Sequence, residues 1–500
     1  MPKFVHPTGP KSASIAFIGE APGAEEDRLG KPFVGRSGHH FNNLLQAVGL
    51  RREDVYITNT IKFRPPANNI KAYIDLSKKI PVTTAGYTAA VRQLKTELEL
   101  TSANVFVPLG NVSLYALTGI HPGKITARRG SLLECSLVPG RKVIPTIHPA
   151  AALRKYVYSN FIAADLRRIV KESSSREIKL PQPNLIIEPT YLEVIDYLEQ
   201  CSERELVNFD VEGVFDFSCI SFSHHPSSAI CIPFSTPQGN YFSTEQETSI
   251  WERIGYLLED PTVRKLNQNM AYDATAIHRQ QGIITNPIDD TMLAQCILFP
   301  DYPRDLGFIT RMWTRYNYYK DEGIEWIKSG IKKGADITQL WHYNAMDSII
   351  PMVAFPQMVK MLKLTKNWDS YKVGRELIQP CLFMQARGVR VDVEGMKVKD
   401  DELERQKAAT LDEFHEICGE PINPNSPTQL IKYLYETKKY PKHYENKKLT
   451  SNEKALKRLV GQGCEEAKLI LSIRHDTKQQ QYLRMKLDSD KRLKCFFNVS

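Results

Sequence analysis

Asn208-Phe-Asp-Val-Glu212 sets Asp210 and Glu212 two residues apart. In a strand that spacing turns both carboxylates to one face, where they could share a divalent cation. Two more acids lie downstream: Asp273 closes Asn269-Met-Ala-Tyr-Asp273 at the start of a helical segment, and Asp347 closes Tyr343-Asn-Ala-Met-Asp347. Tyr343 and Asp347 are four residues apart, so one helical face carries both. Four acids brought to one place would repel one another strongly without cations, whereas two Mg²⁺ or Mn²⁺ ions suit such an all-oxygen set. With two ions present, one activates water and the other stabilises the leaving 3′ oxygen of a phosphodiester. A lone D-x-E is common on exposed strands, so the ordered set of four carries the argument rather than the pair.

A second group of residues lies nearer the N-terminus. Gly19-Glu-Ala-Pro-Gly23 follows an apolar run, and Glu25, Glu26, Asp27 and Gly30-Lys-Pro-Phe-Val-Gly-Arg-Ser-Gly38 come straight after it. A glycine-rich turn at a strand end lets a ligand approach the backbone closely. Asn59 closes the run Val55-Tyr-Ile-Thr-Asn59, and His148 follows Val143-Ile-Pro-Thr-Ile147. Three strand ends therefore direct polar groups at one crevice.

Strand-like runs and helical patterns alternate from residue 15 to 170, which implies a largely parallel sheet covered on both faces. The polar, proline-containing stretch Lys171 to Pro183 interrupts that pattern as a linker does. Strands near 205 to 211, 217 to 223 and 229 to 234 and a long helix from about 337 to 363 form a second α/β unit. Beyond 366, strand signals fade, and long amphipathic segments at 370 to 418 and 450 to 487 flank a proline-containing loop at 421 to 427. The last residues, Lys494-Cys-Phe-Phe-Asn-Val-Ser500, read as the opening of an unpartnered strand, as though the chain stopped inside a fold.

Hydrophobic residues at 42% and charged residues at 25% are ordinary for a globular chain, which excludes a disordered or fibrous one. No leader-like apolar region and no run of about 18 apolar residues is present, so no membrane is expected and the chain reads as soluble and cytoplasmic. The nine cysteines form no C-x-x-C pair and read as reduced thiols. Residues 431 to 500 hold 17 Lys and Arg against 8 Asp and Glu, which is the whole net charge of +9. That end is either a surface for a polyanion or a solvated helical face.

The ordered acids resemble the proofreading exonucleases of the DEDD superfamily, in the subgroup with a tyrosine four residues before the last acid. The resemblance implies an RNase H-like α/β domain with Asp210, Glu212, Asp273 and Asp347 as metal ligands and the Tyr343 hydroxyl orienting water. Asp290, in Asp289-Asp-Thr-Met292, is read as a structural cap. Segments G-E-x-P-G, P-F-V-G-R-x-G, Y-I-T-N and H-P-A resemble family 4 uracil-DNA glycosylases over roughly 14 to 170. That likeness implies a doubly wound α/β domain in which Phe33 stacks on a flipped uracil, Asn59 reads its polar edge, and Gly19 and Glu20 line the base pocket. His148 would stabilise charge on the departing base, Glu26 would position water or the sugar cation, and Pro149 to Arg154 would wedge into the strand and contact phosphate. Family 4 members carry four cysteines on an iron-sulfur cluster; here Lys62-Phe63-Arg64 replaces one of those positions and no N-terminal cysteine pair exists, so no cluster is expected. Gln385-Ala-Arg-Gly-Val-Arg-Val-Asp392 and the helices after it resemble the thumb of family A DNA polymerases. Arg474, Lys478, Arg484 and Lys486 would then lie along a helix that follows a duplex backbone.

These readings together describe a multidomain α/β chain. The expected units are a glycosylase-like domain at 1–172, a linker at 173–184, an exonuclease domain at 185–365 and a helical thumb at 366–500, ending before any palm. The expected function is that of the amino-terminal part of a phage-type family A DNA polymerase, a proofreading 3′-5′ exonuclease acting on single-stranded and primer-template DNA in the infected host's cytoplasm. Palm and fingers would be a separate or downstream portion. A reading of another class makes the chain a DNA-binding accessory module whose glycosylase-like domain senses uracil or a modified base without cleaving it.

Overall fold

The computed structural model describes residues 2–121, 123, 125–213, 217–317, 319 and 336–497. They form two compact units divided between Leu382 and Phe383. Among its described residues the first unit holds one five-stranded and one six-stranded sheet, besides two short two-stranded ribbons. In the N-terminal sheet, Ile15–Gly19 runs parallel between Tyr56–Asn59 and Val105–Pro108; Lys142–Val143 then adds parallel and Leu133–Glu134 antiparallel. Every residue of Ile15–Gly19 and of its two neighbours is buried, as a sheet with both faces covered requires. Period-two alternation splits them between two cores, Phe17, Ile57 and Val107 on one face and Ala16, Ile18 and Phe106 on the other. The strand expected at 143 to 147 is shorter, because Pro145 has no N–H to donate. Thr146 still donates to the carbonyl of Pro108 at 3.0 Å, so the chain runs on beside its neighbour and delivers His148 to the strand ends.

The second sheet has six strands in the order Ile288–Asp290, Arg264–Asn267, Leu206–Glu212, Cys219–His225, Ser228–Pro233, Asn184–Ile186. Cys219–His225 runs antiparallel to both of its neighbours, and the other pairs are parallel. The long helix Thr338–Leu364 lies across the central strands. Strand Arg264–Asn267 went unread because Lys265 sits in its middle, yet that side chain is fully buried. Its ammonium donates to the carbonyls of Val263 and Asn286 at 2.8 and 2.7 Å, and burial brings its pKa down to about 8.

The two sheets of this unit share apolar packing. Phe308, from the helix Leu306–Trp313, is buried in the same core as Phe161, Ile162 and Leu166 of the N-terminal region. Asn317 and the backbone of Leu132 exchange hydrogen bonds of 2.9 and 2.7 Å, and Arg315 pairs with buried Glu172 at 2.9 Å. The helix Trp368–Glu376 also belongs here: Tyr371 is fully buried and donates to Asp289 at 2.9 Å.

The second unit, Phe383–Phe497, is helical. Helices Val393–Cys418 and Glu465–Leu483 pack together, and Phe414, Leu430, Leu434, Leu456 and Ile470 form its core. The terminal strand expected at Lys494 to Ser500 does not form among the described residues 494–497; the strand lies just before them, where Arg492–Leu493 pairs antiparallel with Val389–Arg390. Residues 498 to 500 lie outside the described residues. Among the described residues no helix is long and apolar enough to cross a membrane.

Candidate active site and base crevice

Strand Leu206–Glu212 and helix Thr338–Leu364 meet over three acids. Phe209 and Val211 point into the core, so the alternation leaves Asp210 and Glu212 half-buried on the helix side. One turn of the helix separates Tyr343 from Asp347, which is buried. Single carboxylate oxygens of Asp210, Glu212 and Asp347 lie within 4.8 Å of one another. Such closely placed hard oxygen donors fit a divalent cation of the Mg²⁺ or Mn²⁺ type. Asp273 lies beside this trio rather than within it. Burial pushes its carboxyl well above the usual range, and the charges of Glu212, Asp290 and Asp347 push the same way. A cation there would reverse that penalty.

Several supporting side chains were not anticipated. Asn344, fully buried, donates to the carboxylate of Asp210 at 2.8 Å and to its carbonyl at 3.1 Å. It is itself held by Ser221, which donates to the Asn344 carbonyl at 2.8 Å. The Tyr319 hydroxyl donates to Asp347 at 2.5 Å, with its ring 6.0 Å from that of Tyr343. No local motif marks Tyr319; Asn344 could have been suspected from its place between Tyr343 and Asp347 on one helix. Asp290 caps two helices, accepting from Met270 and Asn269 at 2.9 and 3.2 Å and from Met292 and Leu293 at 2.7 and 3.3 Å. Its lone pairs are thus taken by backbone N–H groups, which suits a cap and not a metal ligand.

The N-terminal strand ends build a second site. Asn59 and Phe33 crowd the backbone of Gly19 so closely that a Cβ there would sit 2.2 Å from Asn59 Oδ1 and 2.7 Å from the Phe33 ring. Only glycine permits that approach. Phe33 is buried and adopts φ +53°, a left-handed conformation that an aromatic residue holds only under external restraint. Glu26 supplies part of it by accepting from Phe33 N–H, and Arg52 the rest by donating to the Phe33 carbonyl at 3.1 Å. The Phe33 ring stacks on His148 with centroids 5.6 Å apart. Asn59 Nδ2 is buried with no hydrogen-bond partner among the described residues, an expensive state for an amide donor.

Glu26 is placed differently from the expectation. Its two oxygens accept from Gly23 N–H, at 2.6 Å, and from Phe33 N–H, so it shapes the loop that presents Phe33. Burial raises its pKa against those two bonds and Arg52, and burial raises that of half-buried Glu20 as well. Arg154 is exposed, six residues beyond His148 and past the short helix Pro149–Ala152. Phe63, in the place of a cluster cysteine, lies 41% exposed with its ring edge-on to Phe4 at 5.5 Å. Cys135 donates its thiol to the Leu117 carbonyl at 3.3 Å, and burial pushes that thiol up; these residues do not fit an iron-sulfur cluster.

His148 Nδ1 accepts from Ala150 N–H at 3.1 Å, which leaves the ring proton of the neutral form on Nε2. Burial, aided by Arg154, lowers its pKa to about 4. The unfolded residue titrates near about 6.5, so between those values the unfolded chain binds the extra proton. The stability due to neutral His148 is therefore present above about pH 6.5 and lost as the pH falls towards 4. His148→Asn should flatten the fall of the urea midpoint over that window; an unaltered pH profile would place the titration elsewhere.

In the second unit the four expected DNA contacts separate. Arg474 is half-buried and donates to the carbonyls of Pro424 and Ser451 at 2.9 and 3.0 Å. The helix ends at Leu483, so Arg484 and Lys486 lie beyond it, a correction to the single helical row. Arg484 pairs with Asp400 and Glu404 at 2.8 and 2.7 Å, because helix Val393–Cys418 presents acids where the row was expected to continue. Lys478 and Lys486 are exposed.

Residues 6–167 match the model of the Uracil DNA glycosylase superfamily, and residues 191–363 that of a 3′-5′ exonuclease. The type-4 uracil-DNA glycosylase of Thermotoga maritima is 40% identical over 158 residues, 32% of this chain and 72% of that protein. The DNA polymerase of Bacillus phage SP01 is 31% identical over 166 residues, 33% of this chain and 16% of the polymerase. DNA polymerase I of Rhizobium leguminosarum is 28% identical over 190 residues, covering 37% of this chain and 18% of that enzyme.

Proposed function

Through residues 6–167 the chain belongs to the uracil-DNA glycosylase superfamily, and residues 191–363 are a 3′-5′ exonuclease domain of the DNA polymerase A kind; from this we propose that it shortens DNA from the 3′ end and reads bases in a separate crevice. The observation that carries the first part is the meeting of Asp210, Glu212 and Asp347 within 4.8 Å. With Asp273 they would hold two Mg²⁺ or Mn²⁺ ions, which supply an activated water and stabilise the leaving 3′ oxygen. Asn344 fixes the orientation of Asp210 by its hydrogen bond. The Tyr343 hydroxyl, a helical turn from Asp347, orients the attacking water, and single-stranded or frayed primer-template ends are the substrates. A 5′-labelled single strand should shorten stepwise with Mg²⁺, while the same strand ending in an inverted 3′-3′ linkage should persist. Equal loss of both would mean that the cut is not made at a 3′ terminus.

In the crevice, uracil would stack on Phe33, and Asn59 Nδ2 would donate to its O4. Engagement of both Glu26 oxygens by backbone supports binding ahead of cleavage, so an inactive uracil or modified-base sensor is the second reading. Alkali treatment of uracil-containing single strands separates the two, since base release leaves a labile abasic site. The exposed Lys478 and Lys486 would touch duplex phosphates. Replacing both by alanine should reduce the slope of log affinity against log salt by about 2; an unchanged slope would make that surface merely solvated. The boundaries 1–172, 173–184, 185–365 and 366–500 divide the chain by role, with the helical part beyond Leu382 acting as the thumb.

A further inference from the structure

Where residues 126 to 161 meet residues 301 to 311 lies a cavity of about 430 Å³, large enough for a small organic ligand. Neither matched segment forms it alone. Arg129, Lys155 and Tyr158 come from the glycosylase-like region, and Tyr302, Phe308 and Arg311 from the exonuclease region.

The wall chemistry is specific. The Arg129 side chain is 4% exposed. Its Nε and Nη2 donate to Asp165 at 3.0 and 2.7 Å, and Nη2 also to the Phe161 carbonyl at 2.9 Å. Nη1 is buried with no hydrogen-bond partner among the described residues. The guanidinium lies 5.0 Å from the Phe161 ring and 5.5 Å from that of Phe308, so aromatic faces stabilise its charge while one corner lacks an acceptor. Arg311 is a second buried cation on the same wall, and Lys155 stands at the mouth with its ammonium 5.2 Å from the Tyr158 ring. Two acids share the wall: Asp305, whose carboxylate caps a helix by accepting from Phe308 N–H at 2.8 Å, and exposed Asp301. Tyr302 stacks on Phe299 and, with Tyr158, offers a platform for a planar ring.

Buried guanidinium groups beside half-buried tyrosines select a ligand that joins an anionic oxygen to a flat heterocycle. We propose that this seam is a third site, binding one nucleotide with its phosphate towards Arg129 and its base on Tyr158 and Tyr302. The capped and exposed acids then face the sugar and base rather than the phosphate. The site stands on the cavity alone and does not require either crevice to be active. A nucleotide of this kind has two sources, a free monophosphate or one residue of a passing strand.

The test uses the full chain in EDTA with two photoreactive probes, 5-iodo-2′-deoxyuridine 5′-monophosphate and an oligothymidylate carrying one 5-iododeoxyuridine, followed by peptide mapping. Cross-links at Tyr158 or Tyr302 are expected: with the monophosphate they identify a free-nucleotide site, and with the oligonucleotide alone a strand site. Lys155→Ala with Tyr158→Ala should cut the yield at Tyr302 about tenfold and leave cross-links at the Phe33 crevice as they were. Cross-links at neither tyrosine with either probe, or an unchanged Tyr302 yield in the double variant, would overturn the assignment.

Discussion

Asp210→Ala combined with Glu212→Ala is expected to slow release of 3′ nucleotides by at least about 1000-fold, since cation contacts to the reacting phosphate are worth several kcal/mol. The same change should not destabilise the protein. Asp210 and Glu212 face Asp347 within 4.8 Å, and like charges at that distance oppose folding when no cation separates them. The urea midpoint measured without metal should therefore hold or rise, even though Asn344 loses its carboxylate acceptor. Rate loss with retained stability marks residues kept for chemistry. A double variant that releases nucleotides within tenfold of the parent rate would place the reaction elsewhere in the chain.

Asn59→Asp should weaken binding of uracil-containing single strands by about 100-fold, the cost of replacing a buried donor by a charged acceptor. Nδ2 is the group left without a partner, and uracil O4 is the acceptor it would meet. An aspartate there repels O4 and accepts from an exocyclic amine, so the preference should move towards cytosine. Competition binding of uracil, thymine and cytosine oligonucleotides by the full chain checks this. The full chain is the proper sample, because Phe308 completes the core around Phe161 and a cut after residue 172 would remove it. If all three bases lose affinity equally in the variant, Asn59 supports the loop and does not read the base.

Much of the fold and both constellations were legible because their signals are local. A two-residue spacing sets Asp210 beside Glu212 on a strand, and a four-residue spacing sets Tyr343 above Asp347 on a helix. The invisible parts all depend on tertiary contacts. Lys265 looks like a surface residue until three carbonyls surround its ammonium. Tyr319 reaches Asp347 across 28 positions with no motif to announce it. Arg484 carries the charge expected of a phosphate contact, yet Asp400 and Glu404, 84 and 80 residues away, claim it. Glu26 is picked out in the sequence by its place after the glycine-rich turn, but only the fold reveals that two backbone N–H groups occupy its oxygens.

Titration of the full chain with Mn²⁺, followed by electron paramagnetic resonance and by 3′-nucleotide release on the same samples, tests the central claim most directly. Release should rise with Mn²⁺ occupancy of a site that vanishes in the Asp210→Ala, Glu212→Ala variant, and should stop in EDTA. Undiminished Mn²⁺ binding and release in that variant, or release that continues in EDTA, would contradict a metal-dependent exonuclease centre at these acids.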